Sequence, residues 1–348
     1  MLFLKNIYTK TRIYTIIFSG DEMFTNIYIY ESSCLDPYRN IATEKYLLEN
    51  VQPGSCILYL WQNKNTVVIG RNQNAWAECR TSLLESEDGR LARRLSGGGA
   101  VFHDIGNLNF TFLVPDELYD VDKQLSVIQT ACGYLGIEAV KSGRNDLLAD
   151  GRKFSGNAFY HAGGKAYHHG TLLFNADMEK LSRYLTPPKA KLQAKGVQSV
   201  RSRVVNLNEL APGLTVDTLK EKLRAAFSEV YGLSAQEIVL DDHANAYIQK
   251  EAEVFGSWQW LYGPKLPFSV CCESRFPWGH IRLEMQVQSG VVQQVQVYSD
   301  AMDWQLPETV SKALTGCRLN EAVLPALTAA LGDTQVCRDI AEMLETQI

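Results

Sequence analysis

Residues 93–104, RRLSGGGAVFHD, set fixed positive charge, maximal backbone freedom and an apolar trio side by side. Successive glycines let backbone N–H groups point into one concavity, a geometry that binds anionic oxygens. Arg93 or Arg94 would add a bidentate contact to a phosphate or carboxylate. Ala100, Val101 and Phe102 would offer an apolar wall to a flat base. The same stretch also reads as a glycine-rich turn between strands with solvated arginines. It is not a phosphate loop ending in Lys and Ser/Thr, and its glycines do not open a helix after a strand. A second stretch, GRNDLLADGRKFSG (143–156), puts Asp146 and Lys153 on the two arms of a hairpin. A carboxylate there could hold Mg2+, and the lysine could neutralise charge on a phosphoryl group in flight. A cross-strand salt bridge on a wet face is the alternative. In YHHGTLLFN (167–175), His168 and His169 fall on opposite faces of a strand, so they cannot share one metal. Residues 186–206 carry Lys189, Lys191, Lys195, Arg201 and Arg203 and no acid. They form a positive loop, either solvated or able to close over a nucleotide or meet an acidic partner.

The elements that must position these residues follow from pattern. Asp36 and Pro37 start a helix as cap and first residue. CILYLW (56–61) and TVVIG (66–70) are short apolar runs four residues apart and predict a buried hairpin. In NLNFTFLV (107–114), Leu108, Phe110, Phe112 and Val114 share one strand face. A helical stripe of Val121, Leu125, Ile128, Cys132 and Leu135 stops at Gly136. Asp150-Gly151 and Gly163-Gly164 predict tight hairpins, and Thr215 and Gly232 bracket a further helix. From about 264 the texture changes to an antiparallel meander around Ser289-Gly290 followed by helices. The expected fold is α+β: a large unit over 23–263 with a mixed or antiparallel sheet flanked by helices, and a small α+β unit over 264–348. Residues 1–22 read as a non-essential extension.

Bulk properties narrow the class. A net charge of −5 argues against nucleic acid as a general partner. Eight cysteines without CxxC or zinc-site spacing read as reduced thiols of a cytoplasmic protein. No apolar run is long enough to span a bilayer.

The stretches TVVIGRNQNAW, RRLSGGGAVFHDIGNLNFTF, GRNDLLADGRKFSG, HHGTLLFNADMEKLSRYL and AKGVQSVRSRVVNL, in this order, resemble the lipoate-protein ligase A family. The resemblance runs from about Met23 to the C-terminus and is weakest after residue 264. It implies a core like that of biotin-protein ligases and, more distantly, class II aminoacyl-tRNA synthetases. It implies a cytoplasmic, monomeric enzyme that uses ATP and Mg2+ to convert lipoate or octanoate to an acyl-adenylate with release of pyrophosphate. The acyl group then passes to a lysine of a lipoyl domain of a 2-oxoacid dehydrogenase complex or of the glycine cleavage H protein. Carried over residue by residue, Arg94, Gly97, Gly98 and Gly99 would hold phosphate, and Gly99, Ala100, Val101 and Phe102 would line the adenylate site. Lys153 would bridge the lipoyl carboxylate and the α-phosphate, with Ser96 and His169 joining it around lipoate. Asp146 would support Mg2+ or pyrophosphate, and residues 186–206 would order over the adenylate. The chain departs from the family pattern at Leu95 and Phe154, which could reshape the acyl tunnel. Competing readings are an ATP-independent acyl transferase, a non-catalytic nucleotide- or lipoyl-domain-binding protein, and a biotin ligase. A covalent transferase needs a positioned cysteine, and none lies in 93–104 or 143–160, although Cys79 and Cys132 exist. No DNA-binding helix-turn-helix is evident at the N-terminus.

Overall fold

A computed structural model describes residues 24–143, 146–185, 204–263, 269–319 and 322–347. The extension over 1–22 and most of the basic loop, residues 186–203, lie outside the described residues.

An eight-stranded mixed sheet forms the backbone of the larger part. Its order is Ala235–Glu237, Asn26–Glu31, Ser55–Trp61, Asn107–Pro115, Lys165–Leu173, Arg152–Ala162, Asp146–Ala149 and Ala139–Ser142. The first three strands run parallel and the remaining neighbours pair antiparallel. Strand alternation gives the sheet two different faces. One face carries Cys56, Leu58, Leu60, Leu108, Phe110, Phe112 and Val114, which pack on the helices Val121–Gly133 and Val216–Tyr231. The other carries Ile57, Tyr59, Trp61, Leu113 and Tyr167 beneath the helices Pro37–Asn50 and Asp242–Phe255. The expected Leu108-to-Val114 face is therefore present. The opposite face of that strand is buried as well, and it is the one that builds the site.

Local signals act as expected. Asp36 accepts from the Tyr38 and Arg39 amides at the start of the first helix, with Pro37 at its first turn. Asp150 and Gly151 (φ 51° and 69°) turn one hairpin, and Gly163 and Gly164 (61° and 74°) turn the next. Gly232 ends its helix in the left-handed region.

The hairpin expected from CILYLW and TVVIG does not form. Ser55–Trp61 enters the large sheet, whereas Thr66–Ile69 sits in a separate three-stranded sheet between Arg90–Arg93 and Val101–His103. Both runs are apolar on both faces, so their pattern does not say with whom they pair. A third, antiparallel sheet of Val270–Phe276, Gly279–Gln288 and Val291–Ser299 carries the helices Leu306–Leu314, Val323–Leu331 and Gln335–Gln347 over its own hydrophobic core.

This C-terminal part touches the larger one at the glycine stretch. Gly98 N donates to Ala301 O at 3.0 Å, and Ser299 N donates to Asn72 O at 3.0 Å. Asn72 Nδ2 donates to Trp304 O at 2.7 Å, and the Trp304 ring packs on Tyr160. A Cβ on Gly97 would lie 2.4 Å from Ala301 O and 2.7 Å from Met302 O. Gly97→Ala is expected to weaken this contact by about 1–3 kcal/mol. Amide hydrogen exchange at Gly98 and Ser299 would then accelerate by about tenfold or more. Unchanged exchange at both amides would show that the contact does not depend on the missing side chain.

Candidate functional site

The strand Arg90–Arg93 delivers two arginines into the protein interior, and they do different work. Arg93 donates to the carbonyls of Gly70, Arg71, Gln73, Trp260 and Leu261. Arg94 curls into the turn that follows it. Its Nη2 donates to Gly97 O at 2.7 Å and Gly99 O at 2.8 Å, its Nε to Ser96 Oγ at 3.1 Å, and its Nη1 to Val68 O at 3.3 Å. Burial pulls the Arg94 guanidinium down to about 10. The expected phosphate-binding arginine is thus engaged by the loop's own carbonyls. Gly98 N–H, expected to face an anion, is used by Ala301.

A cavity of about 300 Å³ opens beside this loop, which is the lower end of the range for small-molecule sites. Gly98, Gly99, Ala100 and Val101 form one wall, with Arg94 behind them and Met302 of the C-terminal part at the edge. Lys153 stands at a partly open side, its side chain 36% exposed. The far side is closed by Glu44, Trp61, His103, Asn109 and His169. Most of these belong to the second face of the large sheet, with Glu44 reaching down from the helix Pro37–Asn50.

Strand alternation corrects two expectations. Val101 and His103 point to the cavity, so Phe102 points away and packs against Tyr184 in a separate core. Lys153 faces the cavity, so Phe154 enters the main core, and Leu95 is likewise buried away from the lining. Neither departure from the family pattern shapes the cavity. Gly97 is also absent from the lining, because it packs on Ala301 and Met302.

His169 does meet the cavity. Its Nδ1 lies 2.8 Å from Glu44 Oε1 and its Nε2 2.8 Å from Ser96 Oγ. Ser96 is fully buried behind the wall, linking Arg94 to His169. His168, on the other face, bonds Gln124 and Asn157 and sits between Phe110 and Phe112. The two histidines are split between faces as expected.

Lys153 Nζ and Asp146 Oδ1 form a 2.6 Å ion pair across the hairpin. Gly156 makes room for it, since a Cβ there would lie 3.0 Å from Nζ. The lysine's backbone is pinned by Val205 N, which donates to Lys153 O at 2.9 Å. Asp146 is therefore the lysine's counter-ion. No group of three or more metal-ligating side chains occurs among the described residues.

Sequence reasoning missed Glu44, Trp61, Asn109 and the part played by His103. Glu44 had a signal: it stands between Ile41 and Leu47, on the stripe that the helix buries. A lone acid on an apolar stripe calls for a buried partner.

The description "lipoyl protein ligase A/B catalytic domain" matches residues 36–228, and "bacterial lipoate protein ligase C-terminus" matches 265–346. The lipoate-protein ligase A of Psychrobacter cryohalolentis is 41% identical over 305 residues, covering 84% of this chain and 89% of that protein. The chain belongs to the lipoate-protein ligase A family. Among solved structures, P. falciparum LipL1 in complex with lipoate superposes with a TM-score of 0.77 at 26% identity, covering 91% of this chain and 98% of its own. A lipoate-protein ligase A bound with ATP shares the fold at a TM-score of 0.61 and 22% identity, covering 69% of this chain and 99% of its own. Among the described residues, no helix of this ligase-family chain is long and apolar enough to cross a membrane.

Two outcomes follow from the buried groups. Arg94→Ala strips partners from Gly97 O, Gly99 O and Ser96 Oγ at once and is expected to cost at least about 3 kcal/mol. Arg94→Lys should not restore it, because one ammonium cannot reproduce the planar fork. Denaturant unfolding measures both, and a wild-type midpoint for either variant would refute the loop-holding role. The second outcome concerns pH. Burial, with Arg94 and His169 nearby, pushes His103 down to about 3, so below the ordinary histidine value the unfolded chain takes up a proton that the native one refuses. Stability therefore falls as pH drops from about 6.5 toward 3, by up to about 1.4 kcal/mol per pH unit from this residue. His103→Gln should make the fall shallower by that amount in unfolding experiments between about pH 5.5 and 4. An unaltered slope would mean that His103 is protonated in the native protein.

Proposed function

We propose that this protein is an ATP-dependent lipoate-protein ligase. It would convert lipoate or octanoate to the acyl-adenylate with release of pyrophosphate. It would then pass the acyl group to a lysine of lipoyl domains or of the glycine cleavage H protein. The observation that carries the reading is the cavity's polarity. One closed and buried end, where Ile41, Trp61 and Val68 add apolar surface to the polar groups, suits an acyl chain, and a single lysine stands at the open side beside a glycine-rich wall.

A carboxylate does not acylate an amine at neutral pH without a better leaving group, and adenylation supplies one. In this reading Lys153 meets the carboxylate and the α-phosphate, where positioned positive charge stabilises the oxygens on which charge develops. Gly98, Gly99, Ala100 and Val101 provide the wall for the adenylate. Arg94 and Ser96 act by holding that wall and His169 in place, and His169 bounds the acyl chain. Mg2+ would travel with the nucleotide's phosphates. Residues 23–263 would form the catalytic part and 264–348 an accessory part, a division supported by the separate C-terminal core. A cytoplasmic location accords with eight unpaired cysteines.

A transferase working through a cysteine has no support in the cavity. Cys79 and Cys132 are buried outside its lining, and burial raises both thiols to about 12.

Mixing the protein with ATP and lipoate should release pyrophosphate. Lys153→Ala should lower that rate by about a hundredfold or more while the melting temperature stays near wild type. Near-normal release by the folded variant would remove Lys153 from the chemistry.

A further inference from the structure

Three atoms of the cavity wall, Glu44 Oε2, His103 Nε2 and Asn109 Nδ2, are buried and have no hydrogen-bond partner among the described residues. Glu44 is fully buried and His103 is 3% exposed. Buried polar atoms are nearly always paired, so the nature of these three indicates what the cavity's occupant brings.

The surrounding bonds fix their character. Asn40 Nδ2 donates to the carbonyls of Cys34 and Gln62, which sets the orientation of its amide. The same nitrogen, which cannot accept, lies 3.0 Å from Asn63 Oδ1 and shares a hydrogen with it, so the Asn63 oxygen faces Asn40 and Asn63 Nδ2 donates to His103 Nδ1 at 3.2 Å. His103 Nδ1 is thus an acceptor, the ring is neutral, and its proton is on Nε2. On the other side, Trp61 Nε1 can only donate and does so to Thr111 Oγ1 at 3.1 Å. The Thr111 hydroxyl then donates to Glu44 Oε1 at 2.8 Å, and His169 Nδ1 meets the same oxygen. Glu44 Oε2 is left to the cavity. Asn107 Nδ2 donates to Asn109 Oδ1, which leaves Asn109 Nδ2 free as well. The closed end therefore presents two donors, His103 Nε2–H and Asn109 Nδ2–H, and one carboxylate oxygen, Glu44 Oε2.

Resting on the ligase reading above, we propose that Glu44 and His103 are specificity-determining residues that recognise the sulfur-bearing end of the acyl chain and disfavour a saturated eight-carbon acid. With the acid's carboxylate at Lys153, its far end lies between these two side chains. A ring sulfur accepts from His103 Nε2–H. The dithiol form of the same acid does so too, and in addition donates S–H to Glu44 Oε2. A terminal methyl group does neither and leaves both atoms desolvated without a partner. No covalent or redox step is involved.

The test compares lipoate, its dithiol form and octanoate, by calorimetric binding and by kcat and KM for pyrophosphate release. Wild type is expected to bind lipoate about five- to tenfold more tightly than octanoate, as one hydrogen bond to a buried donor allows. His103→Phe should bring that ratio close to one, mainly through KM. His103→Gln, which keeps an N–H donor, should preserve most of it. Glu44→Gln, which exchanges the free acceptor for an amide donor, should abolish any advantage of the dithiol over the ring disulfide. Thermal melting identifies which variants are folded, and any one folded variant suffices for the comparison. Equal affinity of wild type for lipoate and octanoate would overturn the proposal. So would a loss in His103→Phe that is the same for all three acids, as a merely structural role would give. Absence of pyrophosphate release with any acid would remove the ligase reading, whereas the calorimetric ratio judges this proposal on its own.

Discussion

One buried guanidinium holds the candidate site together. Arg94 is 6% exposed, and its donors reach the backbone of Gly97 and Gly99, the Ser96 hydroxyl and the neighbouring strand at Val68. A glycine triplet has no side chains with which to fix its own path, and its conformational entropy is large. Charge-assisted bonds to its carbonyls supply the order that the glycines lack. The same arginine starts a chain of contacts through Ser96 and His169 to Glu44, and a second chain reaches Glu44 from Trp61 through Thr111. Both end on the same carboxylate oxygen. The wall of the cavity and its floor are therefore one hydrogen-bonded unit, and a shift of the loop is felt at the buried end.

The large sheet makes this possible by being apolar on one face and mixed on the other. Phe110 and Phe112 face the core, while the alternating Asn109 and Thr111 face the site. His168 and His169 divide in the same way. Nonpolar burial on the first face, at about 25 cal/mol per Å2, adds to that of the cluster on the second and offsets the cost of the polar groups buried there. That rigid support allows the second face to carry a histidine and a tryptophan N–H beneath the fully buried Glu44 carboxylate of the helix Pro37–Asn50.

This division explains what could be read in the sequence. Caps, tight turns and the alternation of Leu108, Phe110, Phe112 and Val114 are local signals, and each of them corresponds to an element. The positions of Lys153 and Asp146 on paired strands followed from the Asp150-Gly151 turn. Strand pairing was not legible at Cys56–Trp61 and Thr66–Ile69, because a run buried on both faces carries no mark of its neighbour. Phe102 was misassigned by treating Ala100, Val101 and Phe102 as a block, although strand alternation separates Val101 from Phe102. Arg94 had the right neighbourhood, but residue types alone did not show that its donors end on the loop itself. The role of Gly97 depends on the backbone of Ala301 and Met302, some two hundred residues away, and nothing near it in sequence marks that contact.

The lysine at the open side is held differently from the arginine behind the loop. Lys153 and Asp146 are each about one-third exposed, so water screens their attraction and such a pair contributes little net stability. A fully buried pair would be costly to separate, because parting it strands a desolvated charge. The partly exposed pair keeps the ammonium pointed at the cavity and still lets an incoming anionic oxygen displace the carboxylate at small cost. Arg94, by contrast, could leave its carbonyl partners only by uncoupling the loop, Ser96 and His169 together. Fixed charge thus belongs to the scaffold and displaceable charge to the mouth of the cavity, an arrangement that suits a reaction in which one positive group must exchange partners while the walls around it stay still.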